Sequence, residues 1–345
     1  MEAIEVLRGG LNGLTEYLSL HVVSCLIPAM FIAGAISAFA SQAAILKYFG
    51  PQAKKPVAYS IGSVSGAILA VCSCTVLPLF GGIYKRGAGL GPAIAFLFSG
   101  PAINILAIVY TANLLGYEMG VARAVGAISF AVVIGLIMGF IFRKEEGQKI
   151  QGQAFTPIAD DSAGRKPWQY GIFFGSLLGI LITAAGKNWI PFAILCVVLG
   201  FSMWRWFTID ELKYWLKETA FFLKRIIPWL LLGVFIAGIL GVVIPPEGMA
   251  RLMGGNTLLG NFIASIGGAL MYIATLTEVP IIKTFMDLGM GKGPALALLL
   301  AGPSLSLPSM LALRGIMGTK KMLTYVALVV AAATTTGLIY GAIMM

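Results

Sequence analysis

The sequence contains little charge and few of the residues on which soluble enzymes rely. Charged residues make up 11% of the chain, against about 25% in typical soluble domains. A single histidine, His21, makes haem ligation by two histidines within one chain impossible. The chain has no Walker motif, which argues against an ATPase, and its Gly87-x-Gly89-x-Gly91 pattern follows no strand and so indicates no nucleotide site.

What the chain has instead is long apolar runs. It is 59% hydrophobic with a mean hydropathy of +0.92. Stretches of about 20 apolar residues, enough to cross a bilayer as helices, recur along it. The sequence predicts an all-α polytopic membrane protein with about ten transmembrane helices, at 22–46, 57–84, 91–115, 119–142, 168–186, 189–207, 226–246, 257–285, 290–316 and 321–345.

One polar stretch divides the chain. We predict a first transmembrane repeat at 1–142, a cytoplasmic linker at 143–167, two connecting helices at 168–207, and a second repeat at 208–345 that begins with an interfacial helix. The segments predicted inside hold more Lys and Arg than those outside, which include Lys54, Lys55 and Arg123. Both termini are therefore predicted to be cytoplasmic, in the cytoplasmic membrane. Anionic lipid headgroups account for the net charge of +10 without a nucleic-acid partner.

Two tracts of 40 residues, 66–105 and 268–307, are similar to each other at an offset of 202. Most shared positions are residues that dictate backbone shape: Gly66/Gly268, Pro78/Pro280, Gly87/Gly289, Gly89/Gly291, Gly91/Gly293, Pro92/Pro294, Gly100/Gly302 and Pro101/Pro303. Paired segments of this kind point to a transporter binding site between two homologous repeats. Ten simple crossings predict parallel repeats, whereas a re-entrant hairpin at the second span would change the parity.

The first copy contains Cys72-Ser73-Cys74-Thr75 ahead of Pro78. Thiolates favour soft species such as trivalent arsenic, Cu(I) or Zn. In a regular helix, the side chains of residues two positions apart point in nearly opposite directions. Both thiols could therefore hold one ion only where the helix is unwound. The pattern makes Cys72 and Cys74 candidate cargo ligands, and metal ligands if the cargo is a soft ion, with Ser73 and Thr75 beside them. Otherwise they are small buried apolar residues.

The second copy replaces the thiols by Ala274 and Leu276 and has Glu278 where the first has Val76. Burying a charge at membrane depth is costly, so such a group faces a polar cavity or carries a proton. Glu278 is therefore the candidate proton-coupling residue, with a structural ion pair to Lys283 as the alternative.

Each copy also breaks at Gly-Pro, at Gly100-Pro101 and at Gly302-Pro303. Broken helices at membrane depth line a cavity or are buried in protein. We therefore predict helix breaks at Pro78, Gly100, Pro101, Pro280, Gly302 and Pro303, and further cargo contacts from Asn104, Thr277, Ser304 and Ser306.

The Cys-Ser-Cys motif with Pro78, followed by Lys85-Arg86-Gly87-Ala88 and Ser99-Gly100-Pro101-Ala102-Ile103-Asn104, resembles the ArsP-type permeases over nearly the whole chain. The resemblance implies export of trivalent organoarsenicals, or of copper or zinc in a related branch, with Cys72 and Cys74 as the thiol ligands. As a departure from the family pattern, Thr75 stands where Gly often follows the second Cys.

The sequence therefore predicts a permease and not an enzyme, without a cofactor. It would export a small thiophilic solute, foremost a trivalent arsenical, by alternating access, coupled to protons through Glu278. Soft metal efflux is the alternative, followed by a transmembrane thiol-redox protein. A scaffold subunit is disfavoured because it gains nothing from cavities at membrane depth. The expected partners are the solute and the bilayer, with homo-oligomerisation left open.

Overall fold

The structure is a computed structural model that describes residues 3–19, 26–39, 48–49, 53–69, 73–146, 166–185, 188–243, 252–271 and 278–344. These residues are almost entirely helical. The helices are α1 (Ala3–Tyr17), α2 (Ile27–Phe39), α3 (Lys55–Leu69), α4 (Ser73–Lys85), α5 (Leu90–Ala102), α6 (Ile105–Leu115), α7 (Tyr117–Ile141), α8 (Pro167–Ala185), α9 (Trp189–Trp206), α10 (Ile209–Val243), α11 (Leu258–Leu270), α12 (Glu278–Asp287), α13 (Lys292–Ser304), α14 (Leu307–Met317) and α15 (Thr319–Ile343).

Few of these helices are long enough to cross a bilayer alone. Among the described residues four are sufficiently long and apolar, namely α7, α9, α10 and α15. The pairs α5–α6 and α13–α14 each bend by 45° at their break and would add two spans. Both bends follow the predicted Gly-Pro positions, where proline removes a helical hydrogen bond. The protein is thus an all-α polytopic chain, but the described residues contain four to six candidate spans, so the predicted ten is not confirmed.

The predicted span 57–84 consists of two short helices, α3 and α4, and the start of α3 lies near the end of α4. Lys55, which begins α3, lines one cavity of about 420 Å³ together with Gly89 and Arg143. The helix α4 ends at Lys85, four residues before Gly89. Each helix is about 20 Å long, short of the roughly 30 Å of a bilayer core. Therefore α3 and α4 form a hairpin that enters and leaves at the same end of the molecule.

The predicted span 257–285 folds in the same way. Gly254, ahead of α11, forms an isolated antiparallel bridge with Met290, which follows α12. The amide of Gly291 also donates to the carbonyl of Met253 over 2.9 Å. The pair α11–α12 is therefore a second hairpin, because its start and its finish are held together by backbone contacts.

The two hairpins open at opposite ends of the molecule. The Lys321 ammonium, at the start of α15, is paired with the Glu146 carboxylate just beyond the end of α7. Deeper in the pair, a Cβ on Gly126 would lie 3.2 Å from Thr336. Because early residues of one helix meet late residues of the other, α7 and α15 are antiparallel. We call the end with Lys55, Arg143 and Lys321 the basic end, and the other the opposite end.

The helix boundaries repeat with the sequence offset of 202. Helices α5, α6 and α7 become α13, α14 and α15 when 202 is added to their first and last residues. The contacts repeat as well, since α4 packs on α14 and α12 packs on α6. Each hairpin therefore touches the helix that follows the break in the other half of the chain.

The glycines of the two copies let α5 cross α7, and α13 cross α15, at backbone contact. A Cβ on Gly135 would lie 2.7 Å from the Gly91 carbonyl oxygen, and a Cβ on Gly337 would lie 2.7 Å from that of Gly293. A polar side chain fills the remaining space at each crossing, Tyr59 in the first and Asn261 in the second. Glycine is required there because any side chain would separate the helices.

The predicted interfacial helix at the start of the second repeat does not fit this arrangement. Residues 210–225 were expected to lie in the interface as a separate helix, but they are continuous with the following span in α10. Trp215 is buried there, and its indole N–H donates to the Phe31 carbonyl over 2.9 Å. The helices α8 and α9 pack on each other, and α9 is only 6% buried, as expected of a helix facing lipid.

The predicted orientation needs a correction as well. Lys55 and Lys85 were placed on opposite sides of the membrane, yet both lie at the basic end because α3–α4 is a hairpin. The linker begins beside Lys321, whereas Tyr340, near the C-terminus, is a whole helix away. The start of the linker and Tyr340 therefore lie at opposite ends of α15, whereas the sequence analysis predicted the linker and the C-terminus on the same side.

A buried carboxylate–guanidinium pair at a helix break

Glu278 begins α12 and is 2% exposed. It is the acid that the sequence singles out, and its side chain is buried. The alternative partner, Lys283, is not its counter-ion, because Lys283 pairs with the exposed carboxylate of Asp287 one turn further on. The charge of Glu278 is balanced by another group.

That group is Arg123 of α7, which is fully buried. Its Nη2 lies 3.4 Å from Glu278 Oε2, and its Nη1 donates to Thr111 Oγ1 of α6 over 2.9 Å. Two of the three side chains belong to the first half of the chain and one to the second. The pair therefore ties the second hairpin to the helices α6 and α7 of the other half.

The pair is incomplete as a hydrogen-bonding unit. Among the described residues, Glu278 Oε1 and Arg123 Nε have no hydrogen-bond partner, although both atoms are buried. The contact is through a single nitrogen and a single oxygen, whereas arginine and carboxylate often pair through two parallel bonds. Buried polar atoms normally have hydrogen-bond partners. Two atoms without a partner in one ion pair therefore mark this pair as a candidate functional site.

The open carboxylate oxygen faces the Gly-Pro break of α13. A Cβ on Gly302 would lie 2.8 Å from Glu278 Oε1. Close by along the break, Ser304 Oγ is buried and has no partner among the described residues, and the Tyr325 hydroxyl donates to the Ser304 carbonyl over 3.4 Å. The offset of 202 places Tyr325 at the position of Arg123 in the other half. The break and the ion pair thus form one polar region inside an apolar bundle.

The residues that follow the two breaks serve partly as helix caps. Asn104 Oδ1 accepts from the Ala107 amide over 3.4 Å at the start of α6. Ser306 occupies the equivalent place before α14, where its hydroxyl accepts from the Ser309 amide over 3.4 Å. These bonds satisfy amides that the breaks would otherwise leave open.

The thiol motif lies at the junction of α3 and α4, since α3 ends at Leu69 and α4 begins at Ser73. Cys72 and Thr277 lie outside the described residues, as do the side chains of Ser73 and Cys74. Thr75 is buried in α4, and Pro78 lies inside the same helix. Among the described residues no group of three or more His, Cys, Asp or Glu is placed to hold a metal ion.

Sequence reasoning missed Arg123, which it assigned to an external segment near the start of a span. The available signal was the position itself, six residues into the apolar run 117–141. An intramembrane arginine nearly always has a partner. The site could have been predicted by assuming that Arg123 and Glu278, two charged residues inside apolar runs, are partners.

The fold and this site define a polytopic α-helical membrane protein with a charged pair buried among its helices. Residues 8–342 match the ArsP_1 family model, described as "Predicted permease". The chain belongs to this permease family, as its motifs suggested. Membership favours a membrane transporter of a small molecule or ion.

Named relatives extend over much of the chain. UPF0718 protein MJ0584 of Methanocaldococcus jannaschii is 45% identical over 97% of this chain and 95% of its own length. UPF0718 protein YraQ of Escherichia coli is 26% identical, over 73% of this chain and 60% of its own length. No solved structure matches the chain.

Replacing Gly302 with alanine tests the contact between the break and the carboxylate. The new methyl group would lie 2.8 Å from Glu278 Oε1, so the carboxylate that pairs with Arg123 must shift. We expect a loss of about 1–3 kcal/mol in the free energy of unfolding, measured by denaturant titration in mixed micelles. Gly175→Ala is the control because a Cβ there meets nothing within 4 Å; equal stability of both variants would contradict this geometry.

Proposed function

We propose that this chain is an efflux permease for a small thiophilic solute, foremost a trivalent organoarsenical, that works by alternating access between two inverted halves. The observation that carries the proposal is the Glu278–Arg123 pair, because it is buried, joins the two halves of the chain and borders a broken helix. Transporters of several folds bind their substrates at such breaks near the middle of the bilayer.

The antiparallel packing of α7 and α15 supports the inverted arrangement. Helices with equivalent boundaries run in opposite directions, and the two hairpins enter from opposite ends. Rocking of one half against the other would then open the centre first to one face and later to the opposite face. In this proposal the hairpin α3–α4 presents the cargo thiols, and the hairpin α11–α12 presents the proton-handling carboxylate.

The cargo is inferred from the thiols. Cys72 lies in the sequence between Leu69, where α3 ends, and Ser73, where α4 begins, and Cys74 is the second residue of α4. Two thiolates close together would bind trivalent arsenic in preference to hard cations. Cargo contacts from Ser73, Thr75, Asn104, Thr277, Ser304 and Ser306 belong to the same proposal.

The distribution of basic residues supports one orientation. The basic end carries many Lys and Arg residues: Lys54, Lys55, Lys85, Arg86, Arg143, Lys144, Lys166, Arg205, Lys320 and Lys321. Cytoplasmic loops of membrane proteins carry such an excess. We therefore propose that the basic end and the linker face the cytoplasm and that the C-terminus faces the outside of the cytoplasmic membrane.

Transport by everted membrane vesicles tests the function. We expect uptake of methylarsenite by vesicles that contain the protein, and at least a tenfold loss in Cys72→Ser and in Cys74→Ser because a hydroxyl replaces a soft ligand. Cys196→Ser is the matched control, since Cys196 is exposed on α9. Uptake of Cu(I) or Zn instead of the arsenical would support the soft-metal alternative. Unchanged uptake in both motif variants would remove the thiols from the mechanism.

A further inference from the structure

The net charge of the central site sets a condition on its ligands. The guanidinium of Arg123 stays protonated, and Glu278 is the charged side chain that faces it among the described residues. The charged groups on neighbouring elements point elsewhere: Lys283 and Asp287 pair with each other, and Lys292 begins α13 at the opposite end. Tyr110, the titratable group of α6, is exposed. The site is therefore neutral only while Glu278 is ionised.

Protonation of Glu278 would leave the positive charge of Arg123 buried and uncompensated. Removing one partner of a buried ion pair is strongly destabilising, because it leaves the other charge uncompensated. A second anion on the guanidinium would offset this cost. Arg123 Nε is buried and has no partner among the described residues, so the guanidinium keeps an unused donor for such an anion, and Glu278 Oε1 is likewise open.

We propose that Arg123 binds a small monovalent oxyanion, such as a carboxylate or a singly charged inorganic oxyanion, when Glu278 is protonated. The incoming anion would take over the Nη2 donor that Glu278 releases and would use the free Nε donor. Thr111 would hold Nη1 in place throughout, as it does in the structure. One proton and one anion then enter together, and the site stays neutral.

This inference rests on the proposed proton-handling role of Glu278 but not on the thiol cargo. Linkage makes the coupling reciprocal, so that anion binding must favour protonation as much as protonation favours the anion. The permease would accordingly move a proton and an oxyanion as a neutral pair through its centre.

Calorimetry on the full-length protein in detergent tests the coupling with nitrate and formate as probes. Titrations in two buffers of different ionisation enthalpy give the number of protons bound per anion, which we expect to be about one. Glu278→Gln should bind both anions about tenfold more tightly at neutral pH and take up no proton, since the competing carboxylate is gone. Arg123→Met should bind neither. Lys283→Gln, on the exposed face of α12, should behave as the wild type.

Three results would overturn the inference: no binding of either anion to the wild type and to Glu278→Gln, binding without proton uptake in the wild type, or binding that survives in Arg123→Met. If Arg123→Met does not fold, the proton count in the wild type and the gain of affinity in Glu278→Gln still test the inference. Anion binding with the expected proton uptake, together with a failure of arsenical transport in vesicles, would contradict the proposed cargo and leave the anion site standing.

Discussion

Replacing Arg123 with methionine should lower the free energy of unfolding by about 3–5 kcal/mol, the cost of leaving the Glu278 carboxylate buried without its counter-ion. Both side chains are almost completely inaccessible. No other charged group among the described residues faces the carboxylate and can replace the missing partner, since Lys283 is paired with Asp287. Denaturant titration in mixed micelles, followed by circular dichroism, measures the change.

The double variant Arg123→Met/Glu278→Leu separates loss of charge balance from loss of packing. Replacing a buried ion pair by apolar residues of similar volume is often neutral or stabilising. We expect the double variant to recover most of the stability and to lose the proton and anion coupling. Lys283→Gln removes an exposed pair on the same helix and should change the stability by less than about 1 kcal/mol. A double variant as unstable as Arg123→Met alone would show that the two charges are not coupled.

Replacing Gly337 with alanine should destabilise the protein by about 3 kcal/mol, at the upper end of the usual cost of overpacking. The new Cβ would lie 2.2 Å from Asn261 Oδ1 and 2.7 Å from the Gly293 carbonyl oxygen. A side-chain atom can rotate away, but the carbonyl is fixed in α13, so the helices α13 and α15 must separate. The same titration measures the loss.

Gly135→Ala supplies the equivalent test in the first half, where the Cβ would lie 2.7 Å from the Gly91 carbonyl oxygen. We expect a similar loss there because the crossing of α5 and α7 has the same geometry. Gly175→Ala again serves as the control, since the space around Gly175 is open within the chain. A loss in only one of the two crossings would contradict the equivalence of the halves.

Local backbone chemistry accounts for the two bends, although Pro78 and Pro280, also predicted as breaks, lie within α4 and α12. The breaks at Gly100-Pro101 and Gly302-Pro303 are bends of 45° between consecutive helices. Proline acts within a few residues of itself, so its effect can be inferred from the sequence. The burial of Glu278 could also be inferred from the sequence, because an acid within an apolar membrane run almost always faces the interior of the helix bundle. The roles of Cys72 and Cys74 remain predictions.

The predicted count of about ten crossings is not confirmed, because a single apolar run can contain two short helices. Residues 57–84 and 257–285 are long enough to cross a bilayer, and their hydropathy does not distinguish a span from a hairpin. The difference lies in contacts between residues far apart, such as the bridge from Gly254 to Met290. A run that folds back returns the chain to the end of the molecule from which it started, so the direction of the following helices depends on it.

The sequence by itself determined that this chain is an all-α membrane protein, with two tracts that share the same Gly and Pro positions and with one acid inside an apolar run. These properties depend on composition and on local backbone preferences, which each segment carries alone. The tertiary structure decided that the tracts run in opposite directions and that Arg123 is the partner of Glu278. The two residues are separated by 155 positions, and which helices carry them together depends on how the hairpins pack between the halves.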